Sequence, residues 1–264
     1  MKYLFSHWHG LKGKLKNKFI FLFLDYDGTL APIAERPDKA VISKGARGLL
    51  QQLSKSRDCK LAIISGRPLK DIKNIAGLKD IIYVGNHGLE IEGPKVKFES
   101  QVSQRLKAII RHIYEDAVSK FSKIKGVLIE DKSLTISVHY RLVDAKKIQE
   151  FMSIFAEITE SYTARNKIEI TSGKKVYEIK PPVQWDKGKV VLWLMARQQF
   201  AAGERKVLPI YIGDDVTDED AFTALKNKGL TIFVGRPAKS NAQYYLKNTG
   251  EVIKFLKTIL ILHC

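Results

Sequence analysis

Two carboxylates one residue apart, Asp25 and Asp27, stand in the middle of the stretch FIFLFLDYDGTLAPI (Phe19–Ile33). An unbroken apolar run, Phe19–Leu24, stands directly before them. Charge at the mouth of a buried strand is unfavourable unless a cation, a hydrogen bond or a proton compensates it. Further polar groups follow other apolar runs: Ser65-Gly66-Arg67 after Lys60–Ile64, and Asp214-Asp215 after the run that holds Tyr211. Lys187 stands where a helical pattern begins. Parallel α/β sheets bind ligands at the carboxyl ends of their strands, so these groups together make a set suited to phosphoryl transfer. Asp25 is the expected nucleophile, attacking phosphorus to give an aspartyl-phosphate and dividing hydrolysis into two easier steps. Asp27 is the expected acid and base, protonating the leaving alkoxide and later deprotonating water. Ser65 is expected to hydrogen-bond a phosphate oxygen, and Lys187 to neutralise charge on the phosphoryl group and on Asp25. A hard cation, Mg²⁺, would take oxygen ligands from Asp25, from Asp214 and from a main-chain carbonyl near Asp27. Such a cation also answers the burial problem. Gly28 lets the chain turn sharply beside the phosphate.

Each fragment alone has an ordinary reading. Asp-Gly after a strand is a turn, Ser-Gly is common in loops, and GDDVTDED is an acidic helix start that the helix dipole favours. Their order along the chain, each after a strand or opening a helix, is what argues for a site. The elements that must position them alternate. Phe19–Leu24, Lys60–Ile64, Ile81–Val84, Val207–Ile212 and Leu230–Val234 read as strands, mostly without in–out alternation. Ser43–Ser56, with Ser43 as N-cap, Pro68–Ala76, Asp186–Phe200 and Thr217–Leu225 read as helices. This is an α/β pattern: a parallel sheet covered on both faces, Rossmann-like.

Between about Glu90 and Pro182 the grammar changes. Val102, Leu106, Ile109, Ile113 and Ala117 share a helical face, as do Ile148, Phe151, Phe155 and Ile158. Paired strands are expected at Lys125–Glu130 with Ser133–Tyr140, joined by Asp131-Lys132, and at Lys167–Thr171 with Lys174–Ile179 around Ser172-Gly173. Gly93-Pro94 and Pro181-Pro182 punctuate the ends. The pattern predicts a core formed by residues 1–92 and 183–264, with an α+β module at 93–182 inserted into it.

The formal charge of +17 over 264 residues fits either a lysine-rich solvated surface or attraction to anions. No basic stripe interleaved with aromatics and no zinc-finger spacing points to nucleic acid. Two cysteines, Cys59 and Cys264, make no disulfide framework and point to a reducing compartment. The basic N-terminal stretch has too short and broken an apolar run for a signal peptide, and Phe19–Leu24 is too short to cross a bilayer. A cytoplasmic protein with no membrane partner is the expectation.

DYDGTLAPI, ISGRP, Lys187-Gly188 and GDDVTDEDAF resemble the four motifs of haloacid-dehalogenase-type phosphatases of the class with an inserted α/β cap. Together with GNHGLEI, VHYR and GKKVYEIKPP they are similar to trehalose-6-phosphate phosphatases, from about Lys18 onward. The resemblance implies Mg²⁺-dependent hydrolysis of trehalose 6-phosphate, with a cap that selects the sugar by closing over it. It carries sugar recognition onto Glu130, Lys132, Arg141, Lys175 and Glu178, with His139 on the same hairpin as the first three. Alternating Lys and Glu on strands is equally how a solvated sheet face looks. His87 is either a hinge histidine or a group facing the ligand, and Arg67 either meets the substrate or locks the cap. Gly66 belongs to the same substrate loop, and Asp215 and Asp218 have supporting roles. A separate synthase must make the substrate and is a candidate partner. Three other readings stay open: a phosphatase for sucrose phosphate or mannosylglycerate phosphate, a phosphosugar mutase, and a non-catalytic sugar-phosphate-binding module.

Overall fold

Alternate side chains of Phe19–Leu24 enter two different cores, which explains why the run shows no polar face. Ile20, Leu22 and Leu24 pack into one cluster, while Phe21 and Phe23 pack into another. The computed structural model describes residues 1–34, 36–100, 102–183, 185–202, 206–236 and 239–263, and its contacts divide the chain into two compact units. The first, Met1–Glu99 with Trp185–Cys264, begins with β1 (Lys2–Tyr3), α1 (Trp8–Leu15), β2 (Phe19–Asp25), α2 (Lys44–Lys55), β3 (Cys59–Ile64) and α3 (Leu69–Ala76). Strands β4 (Ile82–Gly85), β5 (Glu90–Gly93) and β6 (Val96–Glu99) complete its first portion. The second unit, Ser100–Gln184, holds α4 (Gln104–Phe121), β7 (Leu128–Asp131), β8 (Ile136–His139), α5 (Ile148–Ala164), β9 (Glu169–Gly173) and β10 (Val176–Lys180). The chain then returns to the first unit with α6 (Lys187–Ala202), β11 (Val207–Gly213), α7 (Glu219–Ala224), β12 (Leu230–Val234), β13 (Tyr244–Leu246) and α8 (Thr249–His263).

The first unit is a nine-stranded sheet ordered β1-β13-β12-β11-β2-β3-β4-β5-β6. Its pairs are parallel except at β5 and β6. One face packs residues of α1, α2, α3 and α8; the other packs residues of α6 and α7. This is the α/β architecture that the strand–helix rhythm predicts. β2 lies between β11 and β3, so Asp25 ends a strand hydrogen-bonded on both edges. Ser43 caps α2 as expected, its hydroxyl accepting from the Ala46 amide at 3.1 Å.

Several local expectations differ from the structure. The punctuation at Gly93-Pro94 does not end the sheet: Gly93 pairs with Val96, the β5–β6 turn falls on Pro94-Lys95, and the chain stays on the sheet through Glu99. The buried face of α4 is Ile110, Ile113, Ala117 and Phe121, and Val102 precedes the helix. The β9–β10 turn falls on Lys174-Lys175, with Gly173 paired to Val176 and Lys175 left-handed at φ 68°. In the first hairpin the strands stop at Asp131 and resume at Ile136, so Lys132 opens a wider turn closed by its amide to the Thr135 carbonyl. The N-terminal segment, which has no clear periodicity, supplies β1 and α1. Leu4, Leu11 and Leu15 are buried there, and Trp8 meets Phe255 edge-on. Leu15→Ala is therefore expected to lower stability by about 2–5 kcal/mol, read in a denaturant titration. Cys59 is a buried free thiol, and Cys264 lies outside the described residues. Among the described residues no helix is long and apolar enough to cross a membrane.

The second unit is a four-stranded antiparallel sheet, β7-β8-β10-β9. α4 and α5 cover one face, joined by Tyr140, Phe151, Phe155 and Tyr177 in a run of stacked rings. Strand alternation turns Glu130, Ser137, His139, Glu178 and Thr171 away from that core.

Candidate active site

Asp25 is the last residue of β2, and three turn hydrogen bonds fold the next residues back on themselves. Leu30 and Ala31 amides donate to the Tyr26 carbonyl, and the Gly28 amide donates to the Ala31 carbonyl at 2.7 Å. Gly28 has φ 87°, and a Cβ there would collide with the Asp214 carboxylate. The glycine thus serves both the left-handed turn and the close approach of β2 to β11. Thr29 Oγ1 lies 3.4 Å from Asp214 Oδ1 across the same gap. Gly28→Ala is expected to displace Asp214 and to lower turnover about tenfold or more, as steady-state phosphate release would read.

Lys187, the first residue of α6, reaches back to the sheet. Its Nζ donates to Asp25 Oδ1 at 2.8 Å and to Asp218 Oδ1 at 2.7 Å, with all three groups buried. Asp218 has a full set of donors. Tyr211 Oη also donates to Oδ1 at 2.8 Å, while the amides of Asp214 and Asp215 donate to Oδ2, each at 2.9 Å. Asp215 caps the same turn in return by accepting from the Asp218 amide. Burial pulls the Lys187 ammonium down, but Asp218 and Asp25 outweigh it and hold it well above the usual lysine range. Burial pushes the Asp25 carboxyl up against the pull of Lys187, and the carboxylates of Asp218 and Asp214 push the same way.

Ligand atoms of Asp25, Asp214 and Asp218 lie within 4.8 Å of one another, all buried. Three carboxylates face one ammonium, an excess of negative charge that a hard divalent cation would balance. Because four donors already engage Asp218, Asp25 and Asp214 are the better ligands, and Asp218 acts by holding Lys187 and the Asp214 backbone. An all-oxygen set of this kind fits Mg²⁺.

The Ser65-Gly66-Arg67 and Asn86-His87-Gly88 loops are laced together. The His87 amide donates to the Ser65 carbonyl, and the Asn86 amide to the Arg67 carbonyl. A Cβ on Gly66 would sit 2.5 Å from the His87 ring, so the glycine makes room for that ring. Both Asn86 and His87 are left-handed, at φ 47° and 55°. Ser65 is buried, its Oγ accepting from the Arg67 amide at 3.1 Å. Arg67 does something the sequence left open. Its guanidinium makes a two-pronged pair with Asp27, Nε to Oδ2 at 2.7 Å and Nη2 to Oδ1 at 2.6 Å. It also lies over the Tyr26 ring, 5.6 Å from the centroid.

In the second unit, Lys132 is buried beside two carboxylates, 3.0 Å from Glu178 and 4.0 Å from Glu130. Ser137 Oγ donates to Glu178 Oε1 at 2.6 Å, and His139 Nε2 lies 3.2 Å from Glu130. Burial pushes Glu130 up, but the His139 contact and Lys132 outweigh it and leave the carboxyl below its usual range. Arg141 and Lys175 lie at the β9–β10 turn. Arg141 donates to the Lys174 carbonyl at 3.0 Å, and Lys175 Nζ lies 5.5 Å from the centre of the Tyr140 ring. Sequence reasoning missed Tyr211 and Ser137 as members of these networks. Strand register, once known, is the signal that finds Ser137, opposite both Glu130 and Glu178.

Residues 23–249 match the family model described as Trehalose-phosphatase. The chain belongs to the trehalose-phosphatase family. A relative named probable trehalose-phosphate phosphatase 4, from Oryza sativa subsp. japonica, is 37% identical over 258 residues, covering 95% of this chain and 68% of that protein. A crystal structure of a trehalose-6-phosphate phosphatase related protein is 30% identical, with TM-score 0.76, covering 92% of this chain and 97% of the other. The C-terminal domain of Candida albicans trehalose-6-phosphate phosphatase shares the fold, with TM-score 0.82 at 24% identity over 99% of each chain. The family match begins at Phe23, just before Asp25, and spans Ser65, Lys187 and Asp214 as well as the entire inserted unit.

Proposed function

We propose that this chain hydrolyses trehalose 6-phosphate to trehalose and inorganic phosphate, by way of an aspartyl-phosphate on Asp25 and with Mg²⁺ as the required cation. The observation that carries the reading is the buried Lys187 ammonium bridging Asp25 and Asp218 at 2.8 and 2.7 Å at the end of β2, in a member of this family. Lys187 draws one oxygen of Asp25 to itself and leaves the other to attack phosphorus. As the Asp25–phosphorus bond forms, the bond from phosphorus to the sugar oxygen breaks, and Asp27 gives that oxygen its proton. Water then attacks the aspartyl-phosphate, Asp27 takes the water's proton, and phosphate leaves with Asp25 restored. Arg67 engages both oxygens of Asp27, one lone pair on each, so it orients the carboxyl and leaves the second lone pair of each oxygen for the transferred proton. Ser65 supplies a hydroxyl to a phosphate oxygen. Mg²⁺ on Asp25 and Asp214 would neutralise phosphoryl charge and the excess of buried carboxylates.

The second unit reads the sugar in this account, through Glu130, Lys132 and Glu178 of the buried cluster and through Arg141 and Lys175 at the turn. A neutral disaccharide has many hydroxyls, and paired donors and acceptors on a rigid sheet are suited to it. A reducing, cytoplasmic setting is the reading that a chain with only two cysteines favours.

Phosphate release should be measured with trehalose 6-phosphate, sucrose 6-phosphate, glucose 6-phosphate and a mannosylglycerate phosphate, in Mg²⁺ and then in excess EDTA. The expected result is release selective for trehalose 6-phosphate and lost in EDTA. Metal-dependent release from another ester would keep the chemistry and overturn the substrate; no release from any of them would overturn both.

A further inference from the structure

The register of the four-stranded sheet lines up one row of outward side chains across all its strands. Glu130 on β7 faces Ser137 on β8, Ser137 faces Glu178 on β10, and Glu178 faces Thr171 on β9. Directly opposed residues of an antiparallel pair point to the same face, so the four form a strip about 14 Å long, three strand spacings. The first three are bound into one network with Lys132 and His139. The next row toward Lys180 is closed by an ion pair, with Lys180 Nζ 3.3 Å from Glu169 Oε2. On the other side, Gly173 is the cross-strand partner of Val176 and brings no side chain next to Thr171. Thr171 is half-buried, and among the described residues its hydroxyl makes no hydrogen bond. Its place on the strip is thus fixed by the strand, its flank is open, and its donor and acceptor are uncommitted.

We infer that Thr171 is a specificity residue for the disaccharide, hydrogen-bonding a sugar hydroxyl at the end of the strip formed by Glu130, Ser137 and Glu178. The inference rests on the substrate proposed above. A hydroxyl donates and accepts at once, as a sugar hydroxyl does, whereas the carboxylates of the strip only accept and Lys132 only donates. Ser137 has a different part: its proton is given to Glu178, so it positions that carboxylate. Adjacent strands lie about 4.8 Å apart, a spacing that lets Thr171 and Glu178 bond neighbouring hydroxyls of one ring.

The test compares Thr171→Val, which keeps shape and strand propensity but loses the hydroxyl, with Thr171→Ser, which keeps the hydroxyl, and with Thr171→Ala as a second truncation. KM and kcat are measured on trehalose 6-phosphate, and kcat/KM on p-nitrophenyl phosphate, with thermal midpoints as the folding control. Valine and alanine are expected to raise KM for trehalose 6-phosphate about three- to tenfold, as loss of one hydrogen bond would. Selectivity over the aryl ester should fall by a similar factor, and serine should restore both. Equal KM in all variants and the parent overturns the inference, as does a serine variant as impaired as valine. A parent enzyme with no preference for trehalose 6-phosphate overturns the substrate reading and this inference together. A selective parent with an unaltered valine variant overturns this inference alone.

Discussion

Asp25→Asn is expected to lower kcat on the order of 10⁴-fold or more while raising, not lowering, the thermal midpoint measured in EDTA. The two effects have one origin. Asparagine keeps the size of the side chain but offers an amide oxygen that could not form the proposed aspartyl-phosphate. Without a divalent cation, Asp25 lies in a buried group with Asp214, Asp218 and the Lys187 ammonium. Its substitution removes one unit of excess negative charge, and Lys187 keeps Asp218 at 2.7 Å. The pH dependence has a definite sign. Burial and neighbouring carboxylates raise the folded-state pKa of Asp25 above its unfolded value. The folded state then binds more protons, so in EDTA its contribution to stability is present in acid and is lost as pH rises through the raised value. The advantage of asparagine over aspartate should therefore grow from the ordinary aspartate range upward. Steady-state phosphate release and melting curves at several pH values check this. Near-normal turnover would mean another nucleophile, and a sharply lowered midpoint would mean that Asp25 serves mainly to hold Lys187.

Asp218→Ala should do the reverse, costing about 3–5 kcal/mol of stability as well as activity. Asp218 is fully buried and accepts from the Lys187 ammonium, the Tyr211 hydroxyl and the amides of Asp214 and Asp215. Alanine leaves these donors in a dry site, with Lys187 retaining only Asp25 from this pair. Asparagine is not a rescue, since its amide N–H₂ must face at least one group that is itself a donor. The denaturant midpoint of each variant is the measurement; a loss under about 1 kcal/mol would show that water or a neighbour replaces the missing acceptor. On the proposed mechanism these two aspartates, one reacting and one holding, would separate chemistry from scaffold within a single cluster.

The strand–helix rhythm was legible because both faces of the large sheet are covered, so its central strands are plain apolar runs between turn residues. Asp25, Ser65 and Asp214 could be found because each stands immediately after such a run. The meeting of Lys187 with Asp25 across 162 residues was legible from the chemistry the set requires, but that of Arg67 with Asp27 across 40 residues was not, because no local spacing encodes it. Ser172-Gly173 and Gly93-Pro94 misled for a shared reason: glycine marks turns by its backbone freedom, yet both glycines are paired in strands. In the N-terminal segment, Leu4, Leu11 and Leu15 are too sparse to show a period, and only the sheet edge and α8 give them a place.

Order of synthesis is constrained by the pairing of β2. One neighbour, β3, follows within the same stretch of chain, but the other, β11, pairs Val207 with Phe19, about 190 residues away. At ribosomal rates of about 5–20 residues per second, that gap lasts roughly 10–40 s. The strand that carries Asp25 must wait through it with one edge bare. The Ser100–Gln184 unit is continuous in the chain and can close its own sheet in the interval. A nascent chain stalled before β11 would therefore hold a finished four-stranded sheet and an unfinished nine-stranded one. The unpaired backbone edge of β2, with its apolar side chains, would be the surface that a chaperone has to guard.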